Sequence, residues 1–308
     1  MAKTSFRGAL NLIIVLFHTV FIVSCSSDDN EATYKPAFSH SPPIAAEKEY
    51  IFGVHPLHNP QRLHEVFSPL MEYLSSRIEN VTFKLEASRN YGVYDQKLYA
   101  KRFDFALPNP YQTVNAVKNG YKIFAKMADD HNFRGIILVR KDSNINEVAD
   151  LKGKIVSYPA PTALAATMMP QYYIQSHGVD VMKDIDNRYV GSQESSIMNV
   201  YLKHSSAAAT WPLPWLALTR ERPEIAEQLE VKWQTDSLPN NSLVARNEIP
   251  DDTIEKVSAL LFNLHKTKEG KAILHSMALS AFERADNSTY AAVSRFLHTF
   301  SREVREIE

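Results

Sequence analysis

From Glu49 onward the chain alternates short apolar runs with longer amphipathic stretches. "EYIFGVHP" alternates apolar and polar positions and stops at Pro56, which predicts a core strand delivering a loop. "NPQRLHEVFSPLMEYLSSRI" follows with Leu63, Val66, Phe67, Leu70 and Leu74 at helical spacing. The same alternation continues through "VTFKLEAS", "GVYDQKLYAKR", "FDFALPN", "PYQTVNAVKNG" and "YKIFAKMA", with Gly120 placed to cap the third helix. Strands alternating with helices at this spacing predict a mostly parallel sheet covered on both faces.

A second series opens with the long apolar strand "RGIILVRKD". "LKGKIVSY" predicts a strand, "TALAATMMPQYYIQSHG" a helix broken by Pro170, and "NRYVGS" a strand. "QESSIMNVYLKH" predicts a helix, "SSAAATW" a short strand and "TRERPEIAEQLEV" a charged, solvated helix; from "DDTIEKVSALLFNLHK" the pattern is helical to the end. The expectation is an α/β protein of two lobes, each a mostly parallel sheet flanked by helices, joined by two crossing strands. Lobe I takes residues 49–137 plus 240–308, and lobe II residues 138–239. Small ligands sit in the cleft that such an arrangement leaves.

The first residues change that picture only at its edge. "MAKTSFRGALNLIIVLFHTVFIVSC" carries Lys3 and Arg7, then an apolar run, then small residues, the order of a secretory signal. The run is shorter than the roughly 20 residues a membrane span needs. "IVSC" resembles a bacterial lipobox, which implies a lipoprotein signal peptide over 1–24 and a diacylglycerol on Cys25, the chain's one cysteine. Ser26 after the cysteine leans toward sorting to the outer membrane. Residues 25–48 are polar and proline-bearing without periodicity, as a flexible tether is. The folded part is expected in the periplasm, anchored to a membrane by its lipid.

Composition excludes more than it selects. The 308 residues have a formal net charge of −1 and no clustered basic face, which argues against nucleic acid as a partner. There is no G-x-S-x-G elbow, no H-E-x-x-H pair and no glycine-rich phosphate loop, so the chain is expected not to be an enzyme and to need no cofactor. "HPLHNP" brings His55 and His58 close together, with His64 on the next helix, but nothing acidic accompanies the group closely. They are expected to be solvated loop histidines rather than metal ligands. Asp129, Asp130 and His131 are expected to form a solvated turn.

Ligands of open parallel sheets bind beyond the C-terminal ends of strands. The loops predicted there carry His55, Asn90, Tyr91, Asn109, Pro110, Tyr111, Pro161, Thr162, Gln193, Trp211, Asn240 and Asn241, mostly aromatics and amides. Trp211 in "TWPLPW" is expected on an exposed turn fixed by prolines, and Met168 and Met169 are expected to fill core space.

Four segments in register, "FGVHPLHNPQRLHEVFSPLMEYL", "NYGVYDQKLYAKRFDFALPNPYQTVNA", "ILVRKDSNINEVADLKGK" and "WQTDSLPNNSLVARNEIP", resemble the phosphate/phosphite/phosphonate-binding proteins of ABC importers (PhnD-like). The resemblance runs from about Tyr50 to Phe296 and implies a type II-like periplasmic binding fold that closes on its ligand by hinge bending. It also implies a small-molecule ligand, an ABC permease as partner and a monomeric chain; relatives that serve sensor histidine kinases make a ligand-sensing accessory role the alternative.

Carried over residue by residue, the family's first-lobe tyrosine falls on Tyr91, and its second aromatic on Phe133, which has no hydroxyl. The paired Ser-Thr at the second-lobe helix start falls on Ala163 and Leu164, the following histidine on Gln193, and two acidic residues that hold an amino group on Leu213 and Asn241. A hydrogen bond to a charged group contributes about 1.5–3 kcal/mol. Loss of two hydroxyls and an imidazole therefore costs roughly 4–9 kcal/mol, about three to six decades of phosphonate affinity. The expected ligand site is Tyr91, Asn109, Tyr111, Phe133, Thr162, Ala163, Leu164, Gln193, Trp211 and Asn241, altered toward a less anionic guest.

Overall fold

The computed structural model describes residues 47–307. The signal, lipidation and most of the tether expected from the sequence lie outside these residues.

Two sheets form. The first holds β1 (Lys48–Val54), β2 (Val81–Glu86), β3 (Phe105–Leu107), β4 (Tyr121–Met127), β10 (Ser242–Arg246) and β11 (Phe282–Arg284), in the order β11-β4-β10-β3-β1-β2. The second holds β5 (Arg134–Arg140), β6 (Lys154–Tyr158), β7 (Ile185–Tyr189), β8 (Ala207–Thr210) and β9 (Leu229–Ser237), in the order β7-β6-β8-β5-β9. The class is the expected one, α/β with helices flanking two sheets. The parallel part is narrower than "mostly": β1 pairs parallel with β2 and β3, and β6 with β7 and β8, while β10, β11, β5 and β9 pair antiparallel. The reason is topological. Strands that carry the chain out of one sheet and into the other, β4 and β5, run opposite to those that bring it back, β9 and β10, and so pair with them antiparallel.

The chain leaves the first sheet after Met127 and enters the second at Arg134; it returns between Ser237 and Ser242. Both passages are short and lie side by side. Leu238 N donates to Phe133 O at 3.0 Å, and Asn240 Nδ2 to Ala128 O at 2.8 Å. Asp130 is therefore not on a merely solvated turn: its Oδ1 accepts from Asn240 N at 2.9 Å and from the buried Lys126 Nζ at 2.7 Å. Asp129 likewise accepts from Ser280 N and Oγ at 2.8 and 2.7 Å.

Helices start where the sequence supplies caps. Asn59 receives Arg62 N before α1 (Pro60–Ser75), Asn90 receives Val93 N before α2 (Tyr91–Tyr99), and Asn109 forms a capping box with Gln112 at α3 (Pro110–Lys118). The "ALAATMM" stretch behaves differently from the expected broken helix. Leu164–Met168 make one π-helical turn and α4 (Met169–Ser176) continues from it, with Pro170 in its first turn, where a missing N–H is tolerated. Met168 and Met169 are buried in the core. "TRERPEIAEQLEV" is also not one helix: Pro223 separates α6 (Pro212–Glu221) from α7 (Pro223–Gln228), and β9 begins at Leu229. After α5 (Gln193–Tyr201) in the second half, the C-terminal elements α8 (Asp251–Asn263), α9 (Lys268–Ser276) and α10 (Ala291–Glu303) follow β10.

The largest apolar cluster spans both halves: Phe52, Phe67, Phe105 and Leu243 from the first side join Leu164, Met168 and Trp211 from the second. The π turn packs directly on β5, where a Cβ added at Gly135 would lie 2.7 Å from Ala165 O and from the Pro170 ring. Gly135→Ala should therefore force the π turn off β5 and cost about 1–3 kcal/mol, lowering Tm by a few degrees. Thermal unfolding that matches the parent within error would contradict this packing.

Candidate functional site

A small cavity lies at the seam, lined by His55, Tyr91, Asn109, Phe133, Ala163, Leu164, Ala165, Ala166, Gln193, Trp211 and Asn241. Eight of the ten residues singled out from the sequence are in its wall. Each sits where a strand gives way to a helix or a crossing, the position open sheets use for ligands. Tyr111 and Thr162 are outside the wall. Thr162 instead gives its carbonyl to Asn109 Nδ2 at 3.1 Å, tying the two halves, and its hydroxyl lies 3.5 Å from Asp95 Oδ2.

The wall is mostly apolar; Asn109 and Gln193 have their side-chain bonds met within the protein, whereas Asn241 Oδ1 and His55 Nε2 do not. Gln193 Nε2 donates across the seam to Tyr91 Oη at 3.1 Å, while its Oε1 accepts from Thr210 Oγ1 at 2.8 Å. Burial raises the Tyr91 phenol well above its ordinary value, so it stays protonated. Asn241 is fully buried; its Nδ2 faces only the Met127 sulfur at 3.6 Å, and its Oδ1 has no hydrogen-bond partner. The Phe133 and Trp211 rings pack with centroids 5.5 Å apart at 60°. Trp211 is 2% exposed, so the expected exposed turn is instead a buried helix start, with Trp211 as the N-cap of α6 and Pro212 and Pro214 buried in its first turn.

Helix starts give the cavity its polarity. α2, α3 and α5 have side-chain caps from Asn90, Asn109 and Ser192. The π turn after Ala163 and α6 after Trp211 have none. The first N–H groups of an uncapped helix have no carbonyl behind them. Leu164, Ala165 and Ala166 therefore present donors to the cavity, backed by the helix dipole, with methyl and isobutyl groups around them. At α6, Pro212 and Pro214 lack N–H groups, which leaves Leu213 as the first-turn donor.

His55 belongs to this site although the sequence placed it on a solvated loop. It is 2% exposed because β1 carries it into the seam, and its Nδ1 lies 2.9 Å from Leu107 O. A carbonyl only accepts, so Nδ1 holds the proton and Nε2 is an acceptor. Desolvation lowers its pKa to about 4, against a weaker upward pull from the Leu107 carbonyl. His58, half-buried, is also held low, by burial first and then by Arg62 and His55. Among the described residues no group of three or more His, Cys, Asp or Glu side chains could hold a metal ion. The sequence signal for His55 was its place at the end of "FGVHP"; Ala165 and Ala166 gave none beyond adjacency to Leu164.

The cavity has room for the centre of about one water molecule, roughly 10 Å³. Around it the halves are latched at their rims. Arg62 pairs with Glu221, Asn59 Nδ2 donates to Glu194 Oε2 at 3.3 Å, and Arg305, beyond α10, donates to Pro161 O at 2.7 Å and Gln171 Oε1 at 3.1 Å. These are exposed or half-exposed polar contacts, each of small net worth in water.

Two α/β halves joined by two short passages, with helix starts converging on a seam cavity, define the class of two-lobed solute-binding proteins. The chain belongs to the family described as ABC transporter, phosphonate, periplasmic substrate-binding protein, whose model matches residues 52–290. It is 23% identical over 249 residues to the phosphonates-binding periplasmic protein of Escherichia coli (strain K12), covering 78% of this chain and 73% of that one. Its fold is similar to a binding protein component of an ABC phosphonate transporter from Pseudomonas aeruginosa, with a TM-score of 0.77 and 21% identity over 83% of this chain and 88% of that one. It is also similar to PhnD1 of Prochlorococcus marinus, solved in complex with methylphosphonate, at a TM-score of 0.76 and 20% identity over 85% and 100% of the two chains.

The neutral, buried His55 makes stability depend on pH with a definite sign. The unfolded imidazole binds a proton below about 6.5 and the folded one only below about 4, so stability is full above pH 6.5 and falls as pH drops toward 4. The loss should reach about 3 kcal/mol. Asp95, raised to about 6 mainly by burial, acts in the opposite direction over an overlapping range. Denaturant unfolding of the parent and His55→Asn between pH 4 and 7.5 separates the two: the parent should lose more stability than the variant on acidification. Parallel curves would contradict a buried neutral His55.

Proposed function

We propose that this protein is the periplasmic solute-binding component of an ABC importer. Its two halves close on a small molecule at the seam cavity, hinging at residues 128–133 and 238–241, and present it to a permease. The observation that carries the reading is the uncapped helix start at Ala163–Ala166, in the wall of a cavity that it and Gln193 and Trp211 of the same half share with His55, Tyr91, Asn109 and Asn241 from the other side. A site that admits about one water as it stands must part to admit a guest. Weak polar latches at its rims suit such parting.

The specificity departs from that of a phosphonate site. Ala163, Leu164 and Phe133 bring no hydroxyl to the wall, and Gln193 is occupied by Tyr91 and Thr210. No Lys or Arg side chain lines the cavity, so a dianion would be met by backbone N–H groups and the Tyr91 hydroxyl without a balancing charge. The guest favoured by these walls is less anionic, held between aromatic faces and amides. Calorimetry of the purified protein with methylphosphonate should show no binding in the low micromolar range. The Ala163→Ser/Leu164→Thr double variant, which restores two hydroxyls at the helix start, should tighten it by about two to four decades. Low-micromolar binding by the parent, or no gain in the double variant, would contradict an altered anion site.

We place the mature protein in the periplasm on a lipid anchor at Cys25, with Ser26 leaning toward the outer membrane. What supports this is the charged, apolar and small-residue order of residues 1–25. Cys25→Ser should leave the membrane fraction or remain unprocessed, read by fractionation and intact mass. A variant with unchanged membrane partition and unchanged mature mass would refute lipidation.

A further inference from the structure

We infer that β7 is a pairing edge for a second copy of this chain: two copies meet antiparallel, Asn187 against Asn187, with Asp186 of each facing Arg188 of the other. The surface is separate from the seam, since no residue lining that cavity belongs to β7.

β7 ends the second sheet, with β6 as its one strand neighbour. The ladder between them fixes which way its backbone points. Val190 N donates to Tyr158 O, and Asp184 O accepts from Gly153 N, so the even-numbered residues of this stretch face β6. In a parallel ladder the alternate residues, Ile185, Asn187 and Tyr189, then turn their N–H and C=O groups to the open side. Among the described residues none of these three N–H groups has a partner, and the one carbonyl taken is that of Ile185, by Asn187 Nδ2 at 3.3 Å. Such a row is a template for a further strand. The other edges suit that less. β11 has three residues, Glu86 on β2 is held by Lys97 and Arg102 of its own half, and the β9 ladder shifts register twice, as bulges that resist pairing do.

The side chains decide which strand fits. Asp186 and Arg188 share a face of β7, are both about half exposed, and pair with each other at 2.9 Å. Edge strands are commonly protected from their own copies by like charges, above all lysines. This edge carries the opposite arrangement. In an antiparallel pair centred on Asn187, residues 186 and 188 of the two copies stand opposite each other. They occupy the non-hydrogen-bonded positions, where side chains approach closest. Each Asp186 then meets an Arg188, twice by symmetry, and the contact closes at two copies. The Asn187 side chain is already held by Gln171 and by Val181 O, which leaves its backbone for its counterpart. Tyr189, 40% exposed, falls opposite Ile185 of the other copy, and Met182, 52% exposed, flanks the same edge. A five-residue ladder buries less than the roughly 1,200 Å² of a standard stable interface, so the pair is weak, with a Kd on the order of 0.1–1 mM. The chain is thus monomeric when dilute and pairs when concentrated.

Small-angle X-ray scattering of the Cys25→Ser chain, which excludes disulfide-linked pairs, tests this in a concentration series up to about 1 mM. The parent's scattering mass should rise toward that of a dimer. Asp186→Arg and Arg188→Asp each set like charges against each other across the pair, and each should raise Kd at least about tenfold. An equimolar mixture of the two single variants brings opposite charges together at every facing position and should associate at least as well as the parent. The chain carrying both substitutions reverses the pattern without breaking it and should pair as the parent does, which also shows that these exposed positions tolerate the changes. A parent that stays monomeric across the series would overturn the inference. So would association that either single variant leaves unchanged, or that their mixture does not restore.

Discussion

The structure depends on two short passages being held side by side between its sheets. Lys126, with a side chain 6% exposed, pairs with both Asp130 and Glu283; Asp130 also receives Asn240 N, and Tyr290 Oη donates to Asn240 O at 2.5 Å. A buried ammonium is costly unless paired and hydrogen-bonded, and here the first passage and β11 each supply a carboxylate partner. Because Asp130 sits on one passage and Asn240 on the other, the bond between them fixes where the halves can pivot. Phe133 and Asn241, the adjoining residues of the two passages, are by consequence at the floor of the seam. Pivot and site are one local structure.

The closure proposed above is then a contest of modest terms. Large apolar area at the seam, with Trp211 and Phe133 at its centre, favours the closed form. The stranded Asn241 oxygen and the ordering of rim side chains oppose it. α10 and Arg305 on one half contact the other, through Phe296 against Tyr172 and through Pro161 and Gln171, so under the proposed closure the C-terminal segment has to slide or release for the seam to open. An uncapped helix start inside an apolar wall keeps a directional donor set without a charged pocket.

Much of the fold was legible because its strands and helices follow simple periods. β1, α1 and β5 announce themselves in the spacing of Phe52, Leu63, Phe67 and Ile136. What was lost depends on tertiary context. β11 is only three residues long, β9 alternates but its first residues Leu229–Val231 continue the charged helical stretch before them, and Pro170 marks a π turn that no hydrophobic pattern reveals. The wall residues Tyr91, Gln193 and Asn241 were reached through resemblance and loop position. Their mutual bonds were not, because a residue such as Gln193 does not show in one dimension whether it faces a guest or a neighbouring tyrosine. His55 and Trp211 were misplaced toward solvent for the same reason: next to prolines, both read as loop residues, and burial comes from the opposite half.

The most direct test of opening is the distance between the halves. Spin labels at Glu79 in the first half and Met182 in the second, both exposed, can be placed on a Cys25→Ser chain and measured by double electron–electron resonance. Removing the rim contacts with Asn59→Ala and Arg62→Ala should move population to longer separations without loss of fold. A single narrow distance, the same with and without those contacts, would show a rigid body and contradict a hinged solute-binding protein.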